Sequence, residues 1–121
     1  MDVGLFETKN ACDKGAECTI VHPITGPTEV KIRLVGQHGE VHRAAFSRMR
    51  LARQAVESPN DEQLGAEFLA DITLGWSGIQ RDGKELKFNR ENAVWLYSNF
   101  EIVNNQVYAF ATDLRNFMRA S

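Results

Sequence analysis

The sequence is short of most of what would announce a chemistry. It has two cysteines, Cys12 and Cys18, and their spacing is not that of a C-x-x-C redox or zinc motif, so two reduced thiols are expected. Histidines number three: His22, His38 and His42. His38 and His42 lie four apart, but Gly39 intervenes, and His22 precedes Pro23 in a turn-like stretch. Structural metal sites need four ligands and catalytic ones three, so no metal or other cofactor is expected. There is no G-x-S-x-G elbow. The carboxylates Asp61, Glu62, Glu67 and Asp71 read as a solvated helix face. Without a nucleophile set beside an oriented base, no enzyme is expected.

Other absences narrow the class further. No apolar run approaches the ~20 residues that cross a bilayer. The opening Met-Asp-Val-Gly-Leu-Phe-Glu has neither a basic start nor a long apolar core, so a secretory leader is not expected. No charge of one sign dominates. Fourteen basic residues face sixteen acidic ones, a formal charge of −2, which gives no overall pull toward nucleic acid or an anionic membrane. Val35-Gly36-Gln-His-Gly39 joins a strand to a helix but has neither the further glycines nor the lysine of a phosphate loop.

What is present is pattern. The 121 residues suffice for one domain, 1–121, with a core that needs no staples. Residues 1–16 carry little periodicity and are expected as a flexible lead-in, with Lys9 to Gly15 a polar loop. Residues 17–36 read as a β-hairpin. Cys18 to Val21 is β-prone, Pro23-Ile-Thr-Gly26-Pro27 is turn chemistry, and Val30, Ile32 and Leu34 alternate strictly with Glu29, Lys31 and Arg33.

Over 40–120 the period becomes helical. Ala45, Phe46, Met49, Ala52 and Val56 form one stripe, and Leu64, Phe68, Leu69 and Ile72 a second. Ser58 is the expected cap before the second, with Pro59 at its first position, and Gly75 is its expected stop. Trp76 to Phe88 should be a loop or short hairpin turning at Asp82-Gly83. Asn89 caps a third helix, and Asn104 or Asn105 a fourth, which runs through Val107, Phe110, Ala111, Leu114, Phe117 and Met118. The fold class is therefore α+β: an N-terminal antiparallel hairpin or small sheet, then about four helices.

The C-terminal third is the functional signal, because it holds both tryptophans and both tyrosines. Trp95 and Tyr97 point to different sides of one helix, so one core cannot take every ring unless the helix is sandwiched. A large ring left at the surface is a candidate hot spot for a protein partner. On that reasoning Trp76, Trp95, Tyr97 and Phe100 are the expected partner-binding residues. A competing signal is the basic helix, where Arg43, Arg50 and Arg53 share a face that could touch phosphates. The acidic total and the lack of interleaved aromatics stand against it.

The order of these elements resembles that of the tail assembly chaperones of long-tailed bacteriophages. The likeness spans residues 17–118 and rests on Ile72-Thr-Leu-Gly, Trp76-Ser-Gly, Asp82-Gly-Lys84, Phe88-Asn89-Arg-Glu-Asn92, Leu96-Tyr97 and a closing helix with Val107, Phe110 and Phe117. The Pro23-Ile-Thr-Gly26 turn and the Leu34-Val-Gly strand end precede them. The resemblance implies a small non-enzymatic protein of the host cell cytoplasm. Such proteins bind the long, apolar tape measure protein and keep it soluble while tail tube protein assembles around it. Several self-associate, and many also occur in a longer frameshifted form. The alternative from another class is a structural tail or head–tail joining component. A third is nucleic-acid binding through the arginine helix.

Overall fold

The computed structural model describes residues 1–118. The fold is α+β, with an antiparallel sheet early in the chain and helices packed on it. Strands β1 (Ala16–His22) and β2 (Gly26–Leu34) form the expected hairpin, with Cys18 opposite Ile32 and a bulge between Thr19 and Val21. His22 stiffens its turn: the ring Nδ1 accepts the backbone N–H groups of Ile24 (3.1 Å) and Thr25 (3.3 Å).

A third strand corrects the sequence reading. Thr73–Ser77, expected as a helix end and a loop, is β3, which pairs antiparallel with β2 and sets Trp76 opposite Ile32. β2 is thus the central strand. Gly75 lies inside β3 and stops no helix. Half of the information for this strand lies about forty residues upstream, in β2, so local periodicity could not reveal it. The ribbon β4 (Gln80–Arg81) with β5 (Lys84–Glu85) turns at Asp82-Gly83 as expected. Both turn residues have positive φ, 54° and 78°, the conformation for which Asp-Gly is preferred.

The N-terminal stretch is a second correction. Lys9–Lys14, expected as a polar loop in a flexible lead-in, is helix α1. It is docked through Cys12, which is fully buried and whose carbonyl accepts the Gly36 N–H at 2.9 Å. Lys9 pairs with Glu40 at 2.6 Å, and Asp13 accepts the Val41 N–H at 3.1 Å. A six-residue helix is unstable alone, so tertiary docking rather than propensity decides it.

Helices α2 (Glu40–Gln54), α3 (Asp61–Asp71), α4 (Arg90–Asn99), α5 (Glu101–Ala111) and α6 (Arg115–Met118) follow. Asn89 caps α4 as expected, its Oδ1 accepting the Asn92 N–H at 2.8 Å. Two other caps differ. Asn60, not Ser58, caps α3, because Oδ1 of Asn60 is the atom that reaches the Gln63 N–H. α5 begins straight after Phe100, three residues before Asn104. Asn104 sits inside it and donates its amide to the Tyr97 carbonyl at 3.1 Å, tying the end of α4 across the corner.

The expected long closing helix breaks at Thr112, whose hydroxyl bonds back to the Tyr108 carbonyl at 2.9 Å. Asp113 then accepts the Arg115 N–H and starts α6. Such side-chain bonds compete with helical ones, which is why an unbroken apolar period did not guarantee an unbroken helix.

One core joins the layers. Cys18, Ile20, Ile32 and Leu34 of the sheet meet Phe68 and Leu69 of α3, Leu96 and Tyr97 of α4, and Val107 of α5. Burial pushes the Cys18 thiol up to about 11, so it behaves as a small hydrophobe. Of the α2 stripe only Ala45 is buried. Phe46, Ala52 and Val56 are exposed, and His42 is buried instead.

Candidate functional site: an apolar groove at the α4–α5 corner

The four rings expected at a partner surface have four different fates. Tyr97 is core: its side chain is 2% exposed and its hydroxyl lies 2.7 Å from Thr73 Oγ1. Thr73 gives its single proton to the Leu69 carbonyl (2.7 Å), so the Tyr97 hydroxyl must be the donor in this pair. No partner can reach it, and Tyr97 is withdrawn from the site. Trp76 is half-buried, donates its indole N–H to the Leu86 carbonyl at 2.8 Å and meets Phe88 edge-on at 5.1 Å. It pins the β4–β5 segment to the sheet.

Trp95 and Phe100 are brought together, edge-on at 5.3 Å. The Arg81 guanidinium stacks on Trp95, 4.0 Å from the ring centroid, so one face of that indole is already covered by the chain itself. Phe100 is left 45% exposed. It forms one wall of a groove of about 470 Å³ between the α4–α5 corner and the hairpin. Ile102 and Val103 continue that wall, and Ile20, Val21 and Val30 face them. Val21, Phe100 and Ile102 are its exposed apolar members, and His22, Asn99 and Glu101 are exposed beside them.

Sequence reasoning missed Val21 and Ile102. Ile102 did leave a signal, since it stands one position off the stripe that runs through Val103, Val107, Phe110, Ala111 and Leu114. Val21 left none, because a strand residue's outward face is fixed by the bulge beside it.

Beside the groove the edge of β1 is capped at Val21. Gln106 donates its amide to the Val21 carbonyl (2.7 Å) and accepts the Val21 N–H (2.8 Å), so one side chain satisfies both backbone groups that a new strand would use. At Val21 the groove therefore offers a side chain, not main-chain pairing. Fully burying a large apolar side chain is worth roughly 1.5–3 kcal/mol, so covering the exposed halves of Phe100 and Ile102 gives about 1 kcal/mol each.

A second groove, of about 280 Å³, lies between α2, α3 and α5 and is lined by His42, Phe46, Phe68 and Tyr108 among others. His42 meets Phe68 edge-on at 5.1 Å, and its Nε2 is buried without a hydrogen-bond partner. Leaving such a group unmet costs about 1–3 kcal/mol. Burial lowers the His42 pKa from 6.5, so the ring is held neutral. The unfolded chain therefore takes up this proton before the folded one does. Stability is fully present above about pH 6.5 and is lost as the pH falls through the depressed folded value. We expect urea unfolding between pH 7.5 and 5 to show a smaller loss for His42→Leu than for the unsubstituted protein. Equal slopes would contradict this assignment.

The remaining candidates are occupied elsewhere. Arg43 pairs with Glu40 (3.5 Å), Arg48 with Asp71 (3.6 Å) and Arg53 with Asp61 (3.0 Å), so three of the four α2 arginines already face carboxylates. His38 bonds Thr8 at 2.9 Å and lies before the start of α2, so His38 and His42 do not share a helix face. Among the described residues no group of three His, Cys, Asp or Glu is placed to hold a metal ion. No helix among them is long and apolar enough to cross a membrane. Comparison with protein-family models, curated proteins and solved structures finds no match to this chain.

Proposed function

We propose that this protein is a tail assembly chaperone of a long-tailed bacteriophage. It acts without catalysis in the host cytoplasm and holds the apolar tape measure protein in solution until tail tube protein assembles around it. The observation that carries the reading is the apolar groove with Phe100, Ile102 and Val21 open to solvent beside a strand edge capped at Val21. The ordered resemblance over residues 17–118 supplies the identity of the partner. A holding protein gains from several weak apolar contacts that release in turn, and contacts of about 1 kcal/mol each fit that task.

The double variant Phe100→Asp/Ile102→Asp tests it. Phe100 is the N-cap of α5, with no side-chain capping bond, and Ile102 lies in the first turn. Acidic groups there suit the start of α5, but position 100 is also the C-cap of α4 and its ring meets Trp95, so urea unfolding of the variant must first show it folded. The expected loss is about 2 kcal/mol of partner binding, roughly 30-fold in affinity. On co-expression, the tape measure protein should move from the soluble to the insoluble fraction, while Leu51→Asp, an exposed apolar site on α2, leaves it soluble. Unchanged solubility with the double variant, or recovery of this chain as a stoichiometric part of finished virions, overturns the proposal.

A further inference from the structure

The groove between α2, α3 and α5 is unlike the first. All the residues lining it are uncharged at neutral pH, and it presents Asn104 and Tyr108 of α5 and the following Thr112 rather than Ile102 and Val103. Its volume, about 280 Å³, is near the lower bound of small-ligand sites, roughly 300 Å³, so it suits one ring rather than a length of chain. His42 and Phe46, one helical turn apart on α2, both stand edge-on to Phe68. His42 is nine-tenths buried and its Nε2 has no partner. The Phe68 ring that His42 meets edge-on supplies its Nε2 with no hydrogen bond, while Gln37, Asn104 and Thr112 line other parts of the groove. Phe46 is 47% exposed and forms the outer lip.

We propose that this groove receives the phenol ring of a tyrosine carried by a partner polypeptide, its hydroxyl hydrogen-bonded to His42 Nε2 once the Phe46 ring is displaced. A phenol has an apolar body to meet Phe68, Met49 and Tyr108. Its hydroxyl both donates and accepts, so it serves either tautomer of a neutral imidazole. A charged side chain would find no counter-charge, and a phenylalanine would leave the ring nitrogen unmet. The inference rests on the chaperone reading for the source of the tyrosine, not for the chemistry of the site.

The test is an NMR titration of the full chain with two peptides, acetyl-Ala-Tyr-Ala-amide and acetyl-Ala-Phe-Ala-amide, which differ by one hydroxyl. The tyrosine peptide should shift the His42 ring nitrogens and the Phe46 and Tyr108 signals, and bind about tenfold more tightly than the phenylalanine peptide. In His42→Leu, which replaces the unmet nitrogen with an apolar group, the two peptides should bind equally. Equal affinity for the unsubstituted protein, shifts confined to Phe100 and Ile102, or no binding at millimolar peptide overturns the inference. So does a His42 nitrogen bonded to a trapped water that the peptide does not displace. A failed titration beside successful tape measure solubilisation removes this site alone. A successful titration with Phe100→Asp/Ile102→Asp fully active removes the proposed role of the first groove instead.

Discussion

Replacing Tyr97 with alanine is expected to lower the free energy of unfolding by about 4 kcal/mol, the middle of the range for deleting a buried ring. The side chain is 2% exposed, packs with the sheet-facing core and donates to Thr73. Tyr97→Phe keeps the ring and removes only the bond, so it should cost about 1 kcal/mol, because Thr73 still has the Leu69 carbonyl. Urea unfolding at neutral pH measures both. The contrast decides a question of function as well as stability. A surface contact residue would change stability by less than about 0.5 kcal/mol when truncated. A loss that small for Tyr97→Ala would return Tyr97 to the partner surface and undo the separation between core and groove.

Gly78→Ala should cost about 3 kcal/mol or more, from two causes that add. Gly78 has φ of +79°, where an L-residue pays about 1–2 kcal/mol. A Cβ there would also run into the Glu29 carbonyl oxygen of β2, backbone that cannot swing aside, at an overpacking cost of about 1–3 kcal/mol. Gly83 provides the control. It has nearly the same φ, +78°, with nothing within 4 Å of the added atom, so Gly83→Ala should cost only about 1–2 kcal/mol. Thermal melts should then fall by on the order of 10 °C for Gly78→Ala and about half that for Gly83→Ala. Equal shifts would show that the close approach of the β3 exit to β2 contributes nothing.

Taken alone, the sequence determined what depends on neighbours a few residues apart. The alternation of Val30, Ile32 and Leu34 made a half-buried strand, Asp82-Gly83 made a turn of positive φ, and Asn89 made a helix start, since each needs only local geometry. It also narrowed attention to the aromatic C-terminal third, where Trp95 and Phe100 do meet at the surface. Tertiary structure alone decided the rest. β3 exists because β2 pairs with it, and α1 because Cys12 has a buried seat against Gly36. Tyr97 and Phe100 stand three residues apart, yet one is sealed under Thr73 and the other walls an open groove. Both are large rings at the end of α4; exposure is set by which distant segment packs over each ring, and that information is not held in any short window of the chain.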